Sequence, residues 1–329
     1  MSLSATSKAL LALLADGRFH SGTDLAVAVG ISRSAVWKQL QSLDELGLLL
    51  TAVSGKGYRL QQPLELLDAS RIRQALSSQA AILLDALELH DVMVSTNSHL
   101  MASAQQQAPS GLVCLAEYQS AGRGRQGKRW ISPYGHNIYL SLLWRYQQGP
   151  AVLAGLSLAI GVGVIRVLRQ LGIEDTGLKW PNDIYWRGRK LAGILIEVSG
   201  ESSGPCHAVI GLGLNVYLPS SQGQAIDQAW VDLQQILGPS LPSRNVLVAS
   251  LLNTLLPIVA DFDSRTAAAY LNEWRSYDCL LGLPAVLSMG AQAFHGIVQG
   301  IDDEGLLLLE GEEGSLRRFA SGEVSLKVV

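Results

Sequence analysis

The order of elements in the first 60 residues constrains the fold of this chain most strongly. Apolar residues at Leu10, Leu13 and Leu14 repeat at helical spacing within 3–15, and Gly17 suits a C-terminal cap. Ser21 stands three residues before Asp24, a capping-box-like start for a second helix over 23–29 that closes at Gly30. Ser32 can cap a third helix reaching about 46, with Val36, Leu40 and Leu43 on one face. Two short helices joined through a glycine turn make a helix-turn-helix candidate. Runs 48–53 and 58–60 then flank Ser54-Gly55-Lys56-Gly57 and read as a two-stranded wing. The outer face of the third helix offers Arg33, Ser34, Trp37, Lys38 and Gln41, and the wing adds Lys56 and Arg59. Such side chains suit phosphates and base edges in a major groove. The competing reading is a small helical cap that touches no nucleic acid.

Composition bounds the rest. With 329 residues, 48% of them hydrophobic, the chain has room for two or three domains and a large core. The formal charge of −3 excludes a polycation, so a nucleic-acid site must be a local patch. Residues 1–60 hold six Lys/Arg against four Asp/Glu, net +2, which leaves −5 for the remainder. The three cysteines, Cys114, Cys206 and Cys279, are widely spaced and odd in number, which argues against a disulfide framework and for a reducing compartment. The six histidines show neither H-x-x-x-H nor H-E-x-x-H and no C-x-x-C occurs, so no protein-held metal is expected. The longest apolar run, 151–165, contains Ser157 and three glycines; it is too short to span a bilayer and reads as a buried helix. Residues 1–17 read as an amphipathic helix rather than a signal peptide. A cytoplasmic protein without a membrane partner is expected.

Three motifs in the central region carry chemistry. Ser95-Thr96-Asn97 follows a strand-like run and precedes a helix at 98–107. It reads either as a helix cap or as a hydrogen-bonding cluster for a small polar ligand. An apolar strand at 112–117 leads through Gln119 to Gly122-Arg123-Gly124-Arg125-Gln126-Gly127-Lys128-Arg129-Trp130, with three glycines and four cations in the eight residues before the tryptophan. Glycines let backbone N–H groups approach a ligand, arginines supply forks for phosphate or carboxylate, and the aromatic can wall an apolar ring. The stretch matches G-x-x-x-x-G-K, but Arg129 stands where a P-loop requires Ser or Thr, so that reading is rejected. A flexible loop over an anionic ligand and a plain solvated basic loop are both open. In the third motif, Lys179-Trp180-Pro181-Asn182-Asp183, a strand stops at proline and places Asn182 and Asp183 in a turn. Arg187, Arg189 and Lys190 cross a tight loop before Gly193 opens an apolar strand at 194–198. Gly211-Leu212-Gly213-Leu214-Asn215 adds another strand whose glycines permit close approach.

In these motifs, together with Lys190-Leu191-Ala192-Gly193-Ile194, the chain resembles the biotin–protein ligase family, in its bifunctional bacterial form that also represses the biotin biosynthetic operon. The likeness spans essentially the whole chain. It implies an α+β architecture: a winged helix at 1–62, a mixed-sheet catalytic domain at 63–281 and an SH3-like β module at 282–329. By resemblance, Ser95, Thr96, Asn97 and Gln119 line the ureido and ring-sulfur end of biotin. Arg123, Gly124 and Arg125 close over it, with Gly193 beside them, and Lys190 meets the carboxylate or the mixed-anhydride phosphate. Lys179 and Asp183 sit at the reacting phosphate, and Lys128, Trp130, Asn182, Asn215 and Trp230 lie near the nucleotide, with a loop at about 218–230 over the adenine. The catalytic set is then Arg123, Arg125, Lys179, Asp183 and Lys190. Two departures are Val94, where relatives often carry a polar residue, and Gln126 with Lys128, in a loop that is elsewhere richer in arginine.

The implied reaction joins biotin to ATP as biotinyl-AMP and passes it to a lysine of the biotin carboxyl carrier protein of acetyl-CoA carboxylase. Mg²⁺ is expected on the ATP phosphates, with few protein ligands. Asp183 is the candidate to orient or deprotonate the acceptor amine. Ordering of the loop at 123–129 around biotinyl-AMP is expected to complete a homodimer that presents two winged helices to operator DNA, with 148–155 and 194–198 as interface pieces. Five short apolar segments, at 285–287, 294–300, 306–309, 316–319 and 324–328, predict a C-terminal β-barrel, which reads equally as a structural cap. Two rival functions remain beside the ligase: a winged-helix transcription factor that senses a small molecule without catalysis, and a ligase for lipoate or octanoate.

Overall fold

A computed structural model describes residues 3–262, 264–322 and 324–328. The N-terminal module consists of helices α1 (Ala5–Leu14), α2 (Gly22–Val29) and α3 (Arg33–Gln41), followed by a hairpin of β1 (Leu50–Val53) and β2 (Gly57–Leu60). The hydroxyls of Ser4, Ser21 and Ser32 accept from the backbone N–H of Ser7, Asp24 and Ala35, satisfying donors left open at each helix start. α3 ends earlier than its apolar pattern suggests: a 3₁₀ turn at Asp44–Leu46 replaces the last helical turn, and Gly47 follows at φ 78°. Leu10, Leu14, Leu25, Val36, Leu40 and Leu43 form the core of the module. Leu64 and Tyr134 extend that core toward the next domain, and Lys8 forms an ion pair with Asp91 across the junction.

The central domain opens with α4 (Ala69–Gln74) and α5 (Ser78–Leu83). It continues through β3 (Ala86–Met93), α6 (Thr96–Gln105), β4 (Leu112–Gln119), β5 (Ile138–Tyr146) and α7 (Leu156–Gln170). Next come β6 (Thr176–Lys179), β7 (Asp183–Trp186), β8 (Arg189–Gly200), β9 (Cys206–Leu214), α8 (Ser220–Gly223), α9 (Leu233–Leu237), α10 (Arg244–Asp261) and α11 (Ser264–Arg275). Seven strands pair in the order β3-β4-β5-β9-β8-β7-β6. Only β3 and β4 are parallel, because α6 provides the crossover that a parallel pair needs. Strand periodicity separates the two faces. Val113 and Leu115 point into the main core with α7 and α10, while Leu112 and Cys114 pack under Leu100 and Ala104 of α6. The apolar run at 151–165 forms most of α7, as its composition suggests. A Cβ at Gly163 would lie 2.7 Å from Ile258 and 2.8 Å from Leu255, so its glycine lets α7 and α10 approach closely. Two helical stretches, Pro150–Gln170 (α7 with the turn before it) and Arg244–Asp261 (α10), have the length and apolarity to cross a membrane, yet both lie mainly buried inside the fold.

The C-terminal module contains β10 (Pro284–Met289), β11 (Gln292–Ile301), β12 (Leu307–Glu310), β13 (Leu316–Phe319) and β14 (Val324–Val328). They form an antiparallel sheet in the order β13-β12-β11-β10-β14. All five apolar segments foreseen from the sequence match these strands, with Leu306 one residue ahead of β12. The buried indole of Trp180 donates to Gly305 O at 3.1 Å, which ties the module to the strand that carries Lys179.

Candidate active site

One cavity of about 720 Å³ opens where the sheet, the glycine–arginine loop and the C-terminal module meet. Its polar wall begins at the start of α6. Ser95 caps that helix, so the cap reading holds, but the same turn also faces the cavity. Gln119 Oε1 accepts from Thr96 N at 2.9 Å and from Thr96 Oγ1 at 3.2 Å. Gln119 Nε2 donates to Ser132 Oγ at 3.1 Å. Ser141 Oγ lies 2.7 Å from Thr96 Oγ1 and 2.6 Å from Asn97 Oδ1. Asn97 Nδ2 donates to Leu195 O and Glu197 Oε2. These side chains are almost fully buried and mutually bonded, a rigid polar surface ready for a small ligand.

The apolar wall depends on absent side chains. A Cβ on Gly211 would collide with the Asn97 amide, and one on Gly213 with the Trp130 ring. A Cβ on Gly193 would lie 3.1 Å from that ring. The glycines of β8 and β9 therefore make room for the protein's own Asn97 and Trp130, which in turn shape the cavity. Trp130 Nε1 is buried and has no hydrogen-bond partner among the described residues.

Positive charge arrives from separate segments. Arg123 reaches back to Glu197 with N–O distances of 2.9 and 3.2 Å. Arg125 donates to Asn182 Oδ1 at 3.3 Å and to the carbonyls of Ser321 and Gly322, so the loop is latched to the C-terminal module. Lys179 stands over the Tyr185 ring and donates to its hydroxyl at 3.3 Å. Burial holds the Lys179 ammonium below its ordinary pKa, and Asp183 works against that shift. Lys190 lies 2.8 Å from Asp183 Oδ1 and over the Trp130 ring at 5.6 Å.

Of the site residues expected from the sequence, Ser95, Thr96, Asn97, Gln119, Arg123, Gly124, Arg125, Lys128, Trp130, Lys179, Asn182, Asp183, Lys190 and Gly193 all line this cavity. Asp183 does so as the first residue of β7, one position beyond the expected turn. Asn215 and Trp230 do not line it. Asn215 is buried and donates to Val231 O, and Trp230 donates to Gly223 O, so both brace the segment at 215–231. From that segment Asp227 and Gln228 face the cavity instead. Sequence reasoning also missed Ser132, Ser141, Glu197 and Tyr185. Glu197 is the one charge in the apolar run at 194–198, a signal that could have marked it. Arg33, Ser34, Trp37, Lys38 and Gln41 on α3, and Lys56 and Arg59 on the hairpin, are all exposed. Arg59 and Lys56 stack on the Phe19 ring at 4.8 and 5.9 Å.

A family model described as "Biotin/lipoate A/B protein ligase family" matches residues 89–215, a "Biotin protein ligase C terminal domain" matches 285–327, and an "HTH domain" matches 6–59. The bifunctional ligase/repressor BirA of Salmonella typhimurium is 42% identical over 318 residues, covering 97% of this chain and 96% of its own. The protein of the same description from Bacillus subtilis is 32% identical over 313 residues, covering 95% of each. Among solved structures, the biotin protein ligase of Aquifex aeolicus in complex with biotin and ATP is similar with a TM-score of 0.62 and 26% identity, over 75% of this chain and 100% of that one. Relatives of near-equal length thus carry ligase and repressor together in their description, which favours neither the sensor without catalysis nor the lipoate ligase.

Proposed function

The chain belongs to the biotin–protein ligase family, and from that premise we propose how its residues divide the work of a bifunctional ligase and repressor. The enzyme binds biotin and ATP, forms biotinyl-AMP, and transfers biotin to a lysine of the biotin carboxyl carrier protein. The observation that carries this reading is the convergence of Arg123, Arg125, Lys128, Lys179 and Lys190 on one cavity that also holds the buried polar wall of Thr96, Asn97 and Gln119.

In the first step a biotin carboxylate oxygen attacks the α-phosphorus of ATP. A new O–P bond forms and pyrophosphate leaves. Two anions must meet, so fixed cations in a water-poor site favour the more highly charged transition state. Lys190 and the Arg123–Arg125 pair serve the carboxylate; Lys179 serves the phosphate. Mg²⁺ carried by the ATP phosphates would offset their charge, and Asp183, Asn182 and Asp227, which line the cavity, would be the residues to hold a cation that keeps most of its waters. In the second step the acceptor lysine nitrogen attacks the acyl carbonyl, AMP leaves, and the amine gives up a proton. Asp183 is the carboxylate placed to receive it, once Lys190 turns to the ligand.

The winged helix at 1–62 binds operator DNA through α3 and the hairpin, the ligase occupies 63–281, and 282–329 closes the cavity and meets the carrier. Holding biotinyl-AMP orders the loop at 123–129 and favours a homodimer. Two features support an interface at 148–155 and 194–198. β7 pairs with β8 only at 189–193, which leaves the outer side of the later β8 residues without a strand among the described residues. Gly149 packs directly against Ser202 in the turn after β8. Both activities belong to the cytoplasm, where carrier and operator reside.

The test is incubation with ATP, Mg²⁺ and labelled biotin or labelled lipoate, with a carrier domain present. Label from biotin alone should reach the carrier. Absence of transfer, or transfer of lipoate in place of biotin, overturns the assignment. Sedimentation with and without biotinyl-AMP tests the dimer, and equal dimerisation in both rejects it.

A further inference from the structure

Outside the cavity, on the sheet face covered by α6, four side chains with metal-binding atoms meet. Glu88 and His90 stand two residues apart on β3, so both point to the same face. β3 is the end strand of the sheet. Cys114 is the direct partner of Glu88 in the parallel register with β4. His99 descends from the first turns of α6. The donor atoms of all four lie within 4.8 Å of one another. His99 Nε2 is 2.6 Å from Glu88 Oε2, and His90 Nε2 is 3.5 Å from the same oxygen. The two imidazoles meet edge to face at 5.1 Å. None of the four lines the cavity.

We propose that Glu88, His90, His99 and Cys114 form a tetrahedral site for one Zn²⁺. Zinc takes imidazole, thiolate and carboxylate donors at about 2.0–2.3 Å, which places ligand atoms about 3.3–3.7 Å apart in a tetrahedron. The cluster needs an inward movement of about 1 Å at its widest to match that. Mixed sulfur and imidazole ligation selects zinc over magnesium or calcium. Charge also balances: one carboxylate and one thiolate offset the two positive charges, so a partly buried site holds no net charge. The ion reaches it from the solvent side, because Glu88, His90 and His99 are half-buried while the sulfur lies beneath them. Without metal, burial and the neighbouring Glu88 keep Cys114 a neutral thiol. On binding, the S–H proton is released to solvent as the S–Zn bond forms. The bound ion would join β3 and β4 to the helix whose cap, Ser95, faces the cavity.

Full-length protein, stripped with a chelator, is titrated with Co²⁺ and then with Zn²⁺. One equivalent of Co²⁺ should bind and produce a thiolate charge-transfer band with intense tetrahedral d–d bands, and Zn²⁺ should displace it. Cys114→Ser should remove the charge-transfer band, while Cys206→Ser and Cys279→Ser should leave it. His90→Gln, at a half-buried strand position, should weaken zinc competition against a chromophoric chelator by at least about 10–100-fold, the scale on which loss of even an outer partner of a metal ligand is felt. Circular dichroism checks that each variant is folded. No stoichiometric binding, a spectrum without the sulfur band, or affinity unchanged in folded His90→Gln overturns the proposal and leaves Glu88–His99 as a hydrogen bond only.

Discussion

Lys190 Nζ lies 2.8 Å from Asp183 Oδ1 within the cavity, and the two side chains are only 15% and 16% exposed. An incoming carboxylate must therefore compete with a carboxylate already in place. Lys190→Ala removes the cation and strands Asp183, so biotinyl-AMP formation should fall by about 10²–10³. Asp183→Asn keeps the cation and should slow formation less than Lys190→Ala does, while slowing transfer to the carrier more than formation. Single-turnover measurement of each step separates the two variants.

The glycines at 211 and 213 are steric requirements. A methyl group at either position would occupy space held by Asn97 or Trp130. Gly211→Ala should displace the Asn97 amide and lower biotin affinity by about tenfold or more, the worth of one or two hydrogen bonds, with the fold intact. Titration calorimetry reads this directly.

His136 is buried, and desolvation with the nearby Arg244 charge holds its pKa down at about 4. Between the ordinary pKa of 6.5 and about 4, the unfolded chain binds a proton that the folded protein refuses. Stability should therefore fall as pH drops through that window, by about 3 kcal/mol from this group. Urea unfolding at pH 7 and 4.5 should show a larger drop for the wild type than for His136→Gln.

Arg244 of α10 joins three segments. It pairs with Glu117 at 2.9 Å, both almost fully buried, and donates to the carbonyls of Glu65 and Asn137 at 2.7 Å each. Arg244→Met leaves Glu117 buried without its cation and should cost about 3–5 kcal/mol. Thermal unfolding checks this.

On the nucleic-acid side, Trp37 is 52% exposed beside Lys38 and Arg33. Lys38→Ala should weaken duplex DNA binding and reduce the slope of log K against log salt by about one, without altering ligation. Fluorescence anisotropy across a salt series measures it.

Much of this was legible in the sequence because local signals coincided. Ser21 and Ser32 announce helix starts, the C-terminal turns set off all five strands, and the cation-rich loop and the Lys-Trp-Pro-Asn-Asp run bring most of their residues to one cavity. What escaped depended on pairing across the sheet. Glu88, His90, His99 and Cys114 have no linear metal spacing, because two neighbouring strands and a crossover helix bring them together. The latch from Arg125 to Ser321 and Gly322 spans nearly 200 residues and leaves no trace in either segment. Asn215 and Trp230 sit in a chemically suggestive region, yet their side chains satisfy backbone carbonyls of their own loop.

The central claim is that separate cations converge to join a vitamin carboxylate to a nucleotide phosphate. Exchange of labelled pyrophosphate into ATP tests it without any acceptor protein. Exchange that requires biotin in the wild type, and falls by two or more orders of magnitude in Lys190→Ala, is the predicted result. Exchange that proceeds without biotin, or persists undiminished in that variant, contradicts it.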